Sequence, residues 1–197
     1  MAERRRGRAL EDALLDAAWQ QLTENGYANF TMDAVAARAG TSRPVLYRRW
    51  AGRHELLHAT LAHVKERTHL DLPDTGTLRG DVLAVMKQAN GTSTGLTAVM
   101  TVHLAEYYEE TGTSPAELRE VLLAGRRPLL DVLYARAAER GEIDPAHLTD
   151  RIKYLPFTLQ RHEILMTLKP VPDAVLEEIV DTVYLPLVHA RPPLPAP

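Results

Sequence analysis

Three arginines, a tyrosine, two hydroxyl side chains and a proline stand close together in TSRPVLYRRW, residues 41–50. On a helix turning ~100° per residue, Arg43, Pro44, Tyr47 and Arg48 share one arc. Val45, Leu46 and Trp50 share the other, with Arg49 among them. The segment therefore has an apolar back and a basic, aromatic front. Arginine can bond guanine edges bidentately or meet phosphates. Tyrosine and serine hydroxyls, such as those of Tyr47 and Ser42, reach phosphate oxygens. Proline offers a flat apolar contact to a thymine methyl. Ser42 or Thr41 can cap the start of the helix. Pro44 then falls in the first turn, where its missing N–H and fixed φ cost little.

This front needs a support. Phe30 leads into Thr31, a good N-cap, and a helix is expected from there to about Arg38. Ala39-Gly40 ends it, with Gly40 suited to a left-handed turn, and small Ala36 permits a close helix crossing. Two helices joined this way read as a helix-turn-helix. A solvated basic face is the plainer reading of an isolated basic helix. The capped helix, the glycine turn and the apolar positions in register favour the helix-turn-helix. Before it, Leu10, Leu14, Ala17, Ala18 and Leu22 mark one face of a first helix over 7–24, widened by Leu15 and Trp19. Asn25-Gly26 ends that helix. A fourth is expected from Arg53 to Thr68.

The rest of the chain is helical in pattern too. LDLPDTGTLRG, with its proline and glycines, marks a domain boundary. Helices are expected near 78–90, 93–110, 115–140, 146–168 and 172–189, about nine in all. The breaks fall at Asn90-Gly91, Thr111-Gly112, Gly141 with Asp144-Pro145, and Lys169-Pro170. The expected division is 1–52 for an N-terminal arm and the helix-turn-helix, 53–70 for a connecting helix, 71–190 for a second helical domain, and 191–197 for a proline-rich tail. The fold class is all-α, since no run alternates with period two for long enough to suggest a strand.

Charge supports two parts with different partners. The chain's net charge is −3, but residues 1–70 carry 11 Lys+Arg against 8 Asp+Glu, and the remainder 12 against 18. There is no cysteine among the 197 residues, which excludes a disulfide frame or a thiolate metal site. Glu11, Asp12 and Asp16 interrupt what would have to be the apolar run of a signal peptide, and no stretch is apolar enough to span a bilayer. A cytoplasmic protein with no membrane partner is expected.

MDAVAARAGTSRPVLYRRWAGRHELL, residues 32–57, resembles the DNA-binding segment of the tetracycline-repressor (TetR) family. The resemblance rests on Ala39-Gly40, Ser42, Arg43-Pro44, Leu46-Tyr47, Arg48-Arg49, Trp50 and Arg53. It covers about 50 residues once the first helix is included. Arg49 stands where the family usually has His, and Arg53 where it has Lys; both keep positive charge. The resemblance implies a homodimeric, all-helical transcriptional regulator, most simply a repressor released from palindromic double-stranded DNA by a small-molecule effector. By position, Tyr47 and Arg53 would grip phosphates, with Thr31 a further phosphate contact. Arg43, Pro44 and Arg48 would face bases, while Leu46 and Trp50 lock the helix in place. The run Arg4, Arg5 and Arg6, with Arg8, reads equally as a solubilising tail and as an arm reaching a minor groove or flanking phosphates.

Other sites are less defined. Met86, Met100, His103, Tyr107, Phe157, Gln160 and Met166 mix apolar and polar groups on helices expected to pack together, which suits a pocket for a largely apolar effector. Ordinary core is the plainer reading for any one of them. Pro156 should kink its helix. Leu148, Ile152, Leu155 and Leu159 line one helix face, and Val175, Leu176, Ile179, Val183 and Leu187 another. These two faces are the expected dimer interface. His162-Glu163 opens like a zinc-protease motif but meets Met166 where the second His belongs. His103 with Glu106 lacks the order a di-iron bundle needs. His54 and His58 have the i, i+4 spacing of a metal-binding pair, but a solvated helix face is the plainer reading. No catalytic set, metal site or cofactor is expected. The alternative to a regulator is a helical interaction or enzymatic domain that keeps the helix-turn-helix as scaffold.

Overall fold

The computed structural model describes residues 7–67, 71–123 and 127–190. Arg4, Arg5, Arg6 and the 191–197 tail lie outside the described residues, as does Thr68, the expected end of the fourth helix. Every regular element among the described residues is helical. The chain forms two compact units. The first comprises 1–69 and 98–122, the second 70–97 and 123–197. The segment 98–122, which lies within the expected 71–190, packs with the N-terminal helices.

In the first unit, α1 (Arg8–Asn25) stops at Gly26, whose φ of 69° is left-handed and whose N–H bonds Leu22 O. Its face of Leu14, Leu15, Ala18 and Leu22 is buried, so the periodicity identified the correct stripe. It packs against α2 (Met32–Arg38) and α4 (Arg53–Arg67). Asp16 on α1 ties to α4 through His63 at 2.9 Å and Arg67 at 2.7 Å. Gln21 is nearly buried and bridges two segments. Its amide donates to Asn29 O, and its carbonyl accepts from Arg38 on α2. The π-helical turn Val99–His103 and α6 (Ala105–Thr111) complete this unit together with Pro115–Leu123, which is α7. Gly112, at φ 69°, caps α6. A capping box starts α7: Ser114 N–H donates to Glu117 while Glu117 N–H donates to Ser114 Oγ.

The second unit is built on α5 (Leu78–Ala98), which runs through the expected break at Asn90-Gly91. Asn90 has a different task. Its side chain donates to Val171 O at 2.7 Å and accepts from Val171 N at 2.9 Å, clasping α5 to a distant loop. The expected helix over 115–140 is described as α7 and α8 (Arg127–Glu139), with 124–126 outside the described residues. Pro145–His147 forms a single 3-10 turn. Then α9 (Asp150–Thr167) starts at Thr149, whose side chain caps Ile152 N. Pro156 lies within it and is buried. Leu168, not Lys169-Pro170, ends it with a φ of 52°.

The last segment is α10 (Asp173–Glu178), a π turn over Ile179–Tyr184, and α11 (Leu185–His189). Leu176, Val180, Tyr184 and Val188 are its buried stripe. Three steps of four residues would drift by about 120° on an ideal helix. The wider π turn takes up that drift. As a result Ile179, expected at a dimer interface, is buried in the unit's own core, whereas Val183 and Leu187 are exposed.

Candidate nucleic-acid interface

The helix-turn-helix is assembled by local hydrogen bonds. Thr31 caps α2 by accepting from Ala34 N at 3.1 Å. At the other end Gly40 adopts φ 62°. Gly40 N–H bonds Ala37 O and Thr41 N–H bonds Ala36 O, the paired closure that a left-handed residue allows. The chain then enters α3 (Arg43–Tyr47) from Ser42. Ser42 makes no side-chain cap bond, so the helix starts on Pro44's fixed φ and on Val45 N–H bonding Ser42 O. This helix is shorter than the segment 41–50 suggests. Turns over 48–49, with Arg49 N–H and Trp50 N–H both bonding Leu46 O, fold its end over.

The two faces expected of this helix are present. Leu46 is fully buried and Trp50 nearly so. Ser42, Arg43, Pro44, Tyr47 and Arg48 are exposed, as is Thr31 at the head of α2. Arg49 is half-buried and donates back to Val45 O, which explains its place among the apolar positions. Arg43 pairs with Asp33 in the first turn of α2.

Arg53, at the start of α4, stands apart from the other candidates. Its guanidinium is paired with Glu110 of α6 and lies 4.7 Å from the centre of the Tyr27 ring. Glu106 is 3.9 Å away. His54 and His58, read from the sequence as a solvated face, point to the same helix. His54 bonds Glu110 at 3.2 Å, and His58 bonds the Tyr107 hydroxyl at 2.7 Å. Tyr107 packs edge-on against Tyr27. The hydrogen bond from His54, joined by that from Arg53, holds the Glu110 carboxyl below its ordinary range against some desolvation. Burial pushes the Tyr27 hydroxyl well above its ordinary value. Sequence reasoning missed Tyr27 and Glu110. Tyr27 sits in the loop between Asn25-Gly26 and Phe30, and Glu110 is 57 residues beyond its arginine.

The expected effector residues divide between the units. Met100, His103 and Tyr107 belong to the first, and Met86, Phe157 and Gln160 to the second. Gln160 is buried and donates to Met86 O at 2.9 Å, tying α9 to α5. Met166, also counted among them, is 67% exposed. The second unit has a hollow of about 380 Å³ lined by residues that include Tyr134, Ile143, Leu148 and Lys153. None of the expected effector residues lines it.

An exposed basic and aromatic face on the second helix of a helix-turn-helix, braced by a buried back, defines a DNA-binding regulator. Two family models match the chain. "Bacterial regulatory proteins, tetR family" covers residues 14–60 and "Tetracyclin repressor-like, C-terminal domain" covers 72–183. A DNA-binding transcriptional repressor TetR of Mycobacteroides abscessus is 31% identical over 184 residues, spanning 93% of this chain and 96% of that protein. The HTH-type transcriptional repressor LfrR of Mycolicibacterium smegmatis is 27% identical over 133 residues, 68% of each chain. Among solved structures, the fatty acid degradation regulator FadR from Bacillus halodurans superposes with a TM-score of 0.69 at 17% identity, covering 94% of this chain and 97% of that one. FadR from Bacillus subtilis, solved in complex with stearoyl-CoA, gives 0.59 at 19% identity, covering 90% and 97%. The chain belongs to the TetR family and is a DNA-binding transcriptional regulator, not an enzyme. No helix among the described residues is long and apolar enough to cross a membrane.

Proposed function

We propose that this regulator is a cytoplasmic repressor that binds a palindromic operator as a homodimer and releases it when a small, largely apolar molecule occupies the second unit. One observation carries the DNA half. Arg43, Pro44, Tyr47 and Arg48 stand exposed on one face of α3 while Leu46 and Trp50 anchor its back. In this reading Arg43, Pro44 and Arg48 face bases. Tyr47, Ser42, Thr31 and Arg53 meet phosphates and fix the register. The arm Arg4-Arg5-Arg6 adds contacts beside the site.

The dimer reading is supported by the exposure of Val183, Leu187 and Met166 in the second unit, beside half-buried Ile152, Leu155 and Leu159. Pairing these faces about a two-fold axis would set two recognition helices ~34 Å apart, one turn of DNA. The effector reading is supported by the hollow of about 380 Å³ in the second unit, where apolar Ile143 and Leu148 stand beside Tyr134 and Lys153. The same fold holds stearoyl-CoA in FadR of Bacillus subtilis, which supports an effector of apolar body and polar head.

The test is direct. The purified chain is titrated against duplex from upstream of its own gene, and small molecules that raise its thermal stability are added to the complex. Specific binding that such molecules weaken supports the proposal. Binding with no preference for any sequence would leave a helical interaction domain. Stabilising molecules that never change DNA affinity would remove the sensing half.

A further inference from the structure

The proposed function gives Arg53 a DNA phosphate to grip, yet its guanidinium already has a partner. One carboxylate oxygen of Glu110 accepts from Arg53, and the other meets His54 at 3.2 Å and accepts from the Tyr27 hydroxyl at 3.4 Å. A second acid, Glu106, stands 3.9 Å from the guanidinium. The Tyr27 ring lies against the guanidinium at 4.7 Å. An open hollow of about 440 Å³, lined by Ala51, Gly52, Arg53, His54, Glu55 and Glu110, gives solvent access to this pair.

Taking Arg53 as the phosphate contact of the proposed function, we propose that Glu110 is a built-in competitor for DNA phosphate, its carboxylate standing on Arg53 where a phosphate oxygen would stand. Carboxylate and phosphate present the same paired acceptors to a guanidinium. Glu110 takes the Nη2 end of Arg53, and a phosphate oxygen seated on that end must displace it. DNA engages Arg53 by displacing Glu110, and the displacement lowers affinity for every sequence by the same factor, because phosphate contacts carry no sequence information.

The pair is not needed to hold α6 in place. Tyr107 packs edge-on against Tyr27 with ring centres 5.5 Å apart and bonds His58 at 2.7 Å. The backbone N–H of Tyr27 bonds His103 O at 3.0 Å. Tyr107 and Leu104 are buried. The Arg53 and Glu110 side chains, by contrast, are 31% and 30% exposed. Neutralising Glu110 removes the competitor and leaves the helix that carries it.

The experiment uses the full chain as wild type, Glu110→Gln, Arg53→Ala and the double variant. Each is titrated by fluorescence anisotropy against upstream duplex and scrambled duplex at several salt concentrations. Glu110→Gln should tighten both complexes by about two- to five-fold, the size of a part-exposed ion pair. Arg53→Ala should weaken both, and the double variant should match Arg53→Ala. Glu106→Gln, at the longer distance, should gain less than Glu110→Gln. Should Glu110→Gln fold poorly in a thermal melt, Glu110→Asp keeps the charge, shortens the reach and is read by the same cycle. A gain that survives in the Arg53→Ala background would mean a general charge effect and overturn the proposal. So would no gain from Glu110→Gln alongside a loss from Arg53→Ala. Wild-type binding that Arg53→Ala leaves unchanged would remove Arg53 from the phosphate contacts and the competitor role of Glu110 with it. Wild type binding neither duplex would instead sink the DNA-binding reading itself.

Discussion

Replacing Arg43 by alanine separates two energies that meet on one side chain. Without DNA, the Arg43 guanidinium is paired with Asp33, and the two side chains are 63% and 51% exposed. A pair so open to water contributes about 0.2–1 kcal/mol. A bidentate contact to a guanine edge discriminates by about 1–3 kcal/mol. The base outweighs the carboxylate, so the exchange is favourable, and its net value is roughly 1–2 kcal/mol. Arg43→Ala should therefore weaken operator binding by about five- to thirty-fold. Scrambled duplex should lose much less, because there Arg43 has only phosphates to attract. Asp33→Asn is the complementary change: it releases Arg43 and removes an acid from the exposed side of α2. It should tighten both complexes modestly. Anisotropy titrations at one stated ionic strength compare the three proteins on the two duplexes. An equal loss on both from Arg43→Ala would refute base reading. Weaker operator binding by Asp33→Asn would show that the carboxylate orients Arg43 for DNA instead of holding it back.

Leu46→Ala empties a fully buried position behind the recognition helix and should cost about 2–5 kcal/mol of stability in urea unfolding; a loss near zero would mean α3 is not braced through this residue. Burial works to raise the Asp16 pKa, but hydrogen bonds from His63 and Arg67 outweigh it and the net shift is downward. A carboxyl lowered on folding adds stability above its unfolded value of ~3.9, and that stability is lost as pH falls through the folded value. Asp16→Asn should thus be less stable than wild type near neutrality, with the gap closing in strong acid; a gap independent of pH would count against the ionic link between α1 and α4. Val183→Glu puts a charge on an exposed apolar position of the last helical segment and should shift the chain toward monomer in light scattering while weakening operator binding; an unchanged dimer would move the interface elsewhere.

Signals written within a few residues were legible. Thr31 as a cap, Gly40 as a left-handed turn, Pro44 in a first turn, and Leu46 and Trp50 as the back of α3 all follow from spacing and backbone preference. They lie where the sequence places them. Signals whose meaning depends on a distant partner were not. Asn90-Gly91 has the composition of a helix stop, yet Asn90 clasps Val171 and the helix continues. Ile179 shares a stripe with Val183 only on a regular helix, and the π turn over 179–184 sends the two to different environments. Gln160 looks like a ligand anchor because a buried amide needs a partner. The partner it has is Met86 O, a main-chain group that no pattern of side chains reveals.

The charge split shows how far such partners reach. Along the chain, residues 1–70 form a basic head with 11 Lys+Arg against 8 Asp+Glu. In three dimensions, the first unit also contains 98–122, with Glu106, Glu109, Glu110, Glu117 and Glu120 against Arg119 alone. That unit holds 12 Lys+Arg and 13 Asp+Glu, so its basic excess disappears. Attraction to DNA then rests on placement rather than on net charge. Arg43 and Arg48 stand on the exposed face of α3, while the acids of α6 gather at Arg53. In this reading Glu110 weighs on DNA affinity because its carboxylate pairs with Arg53, a candidate phosphate contact. Its effect should therefore be read on Arg53 and not on the recognition helix.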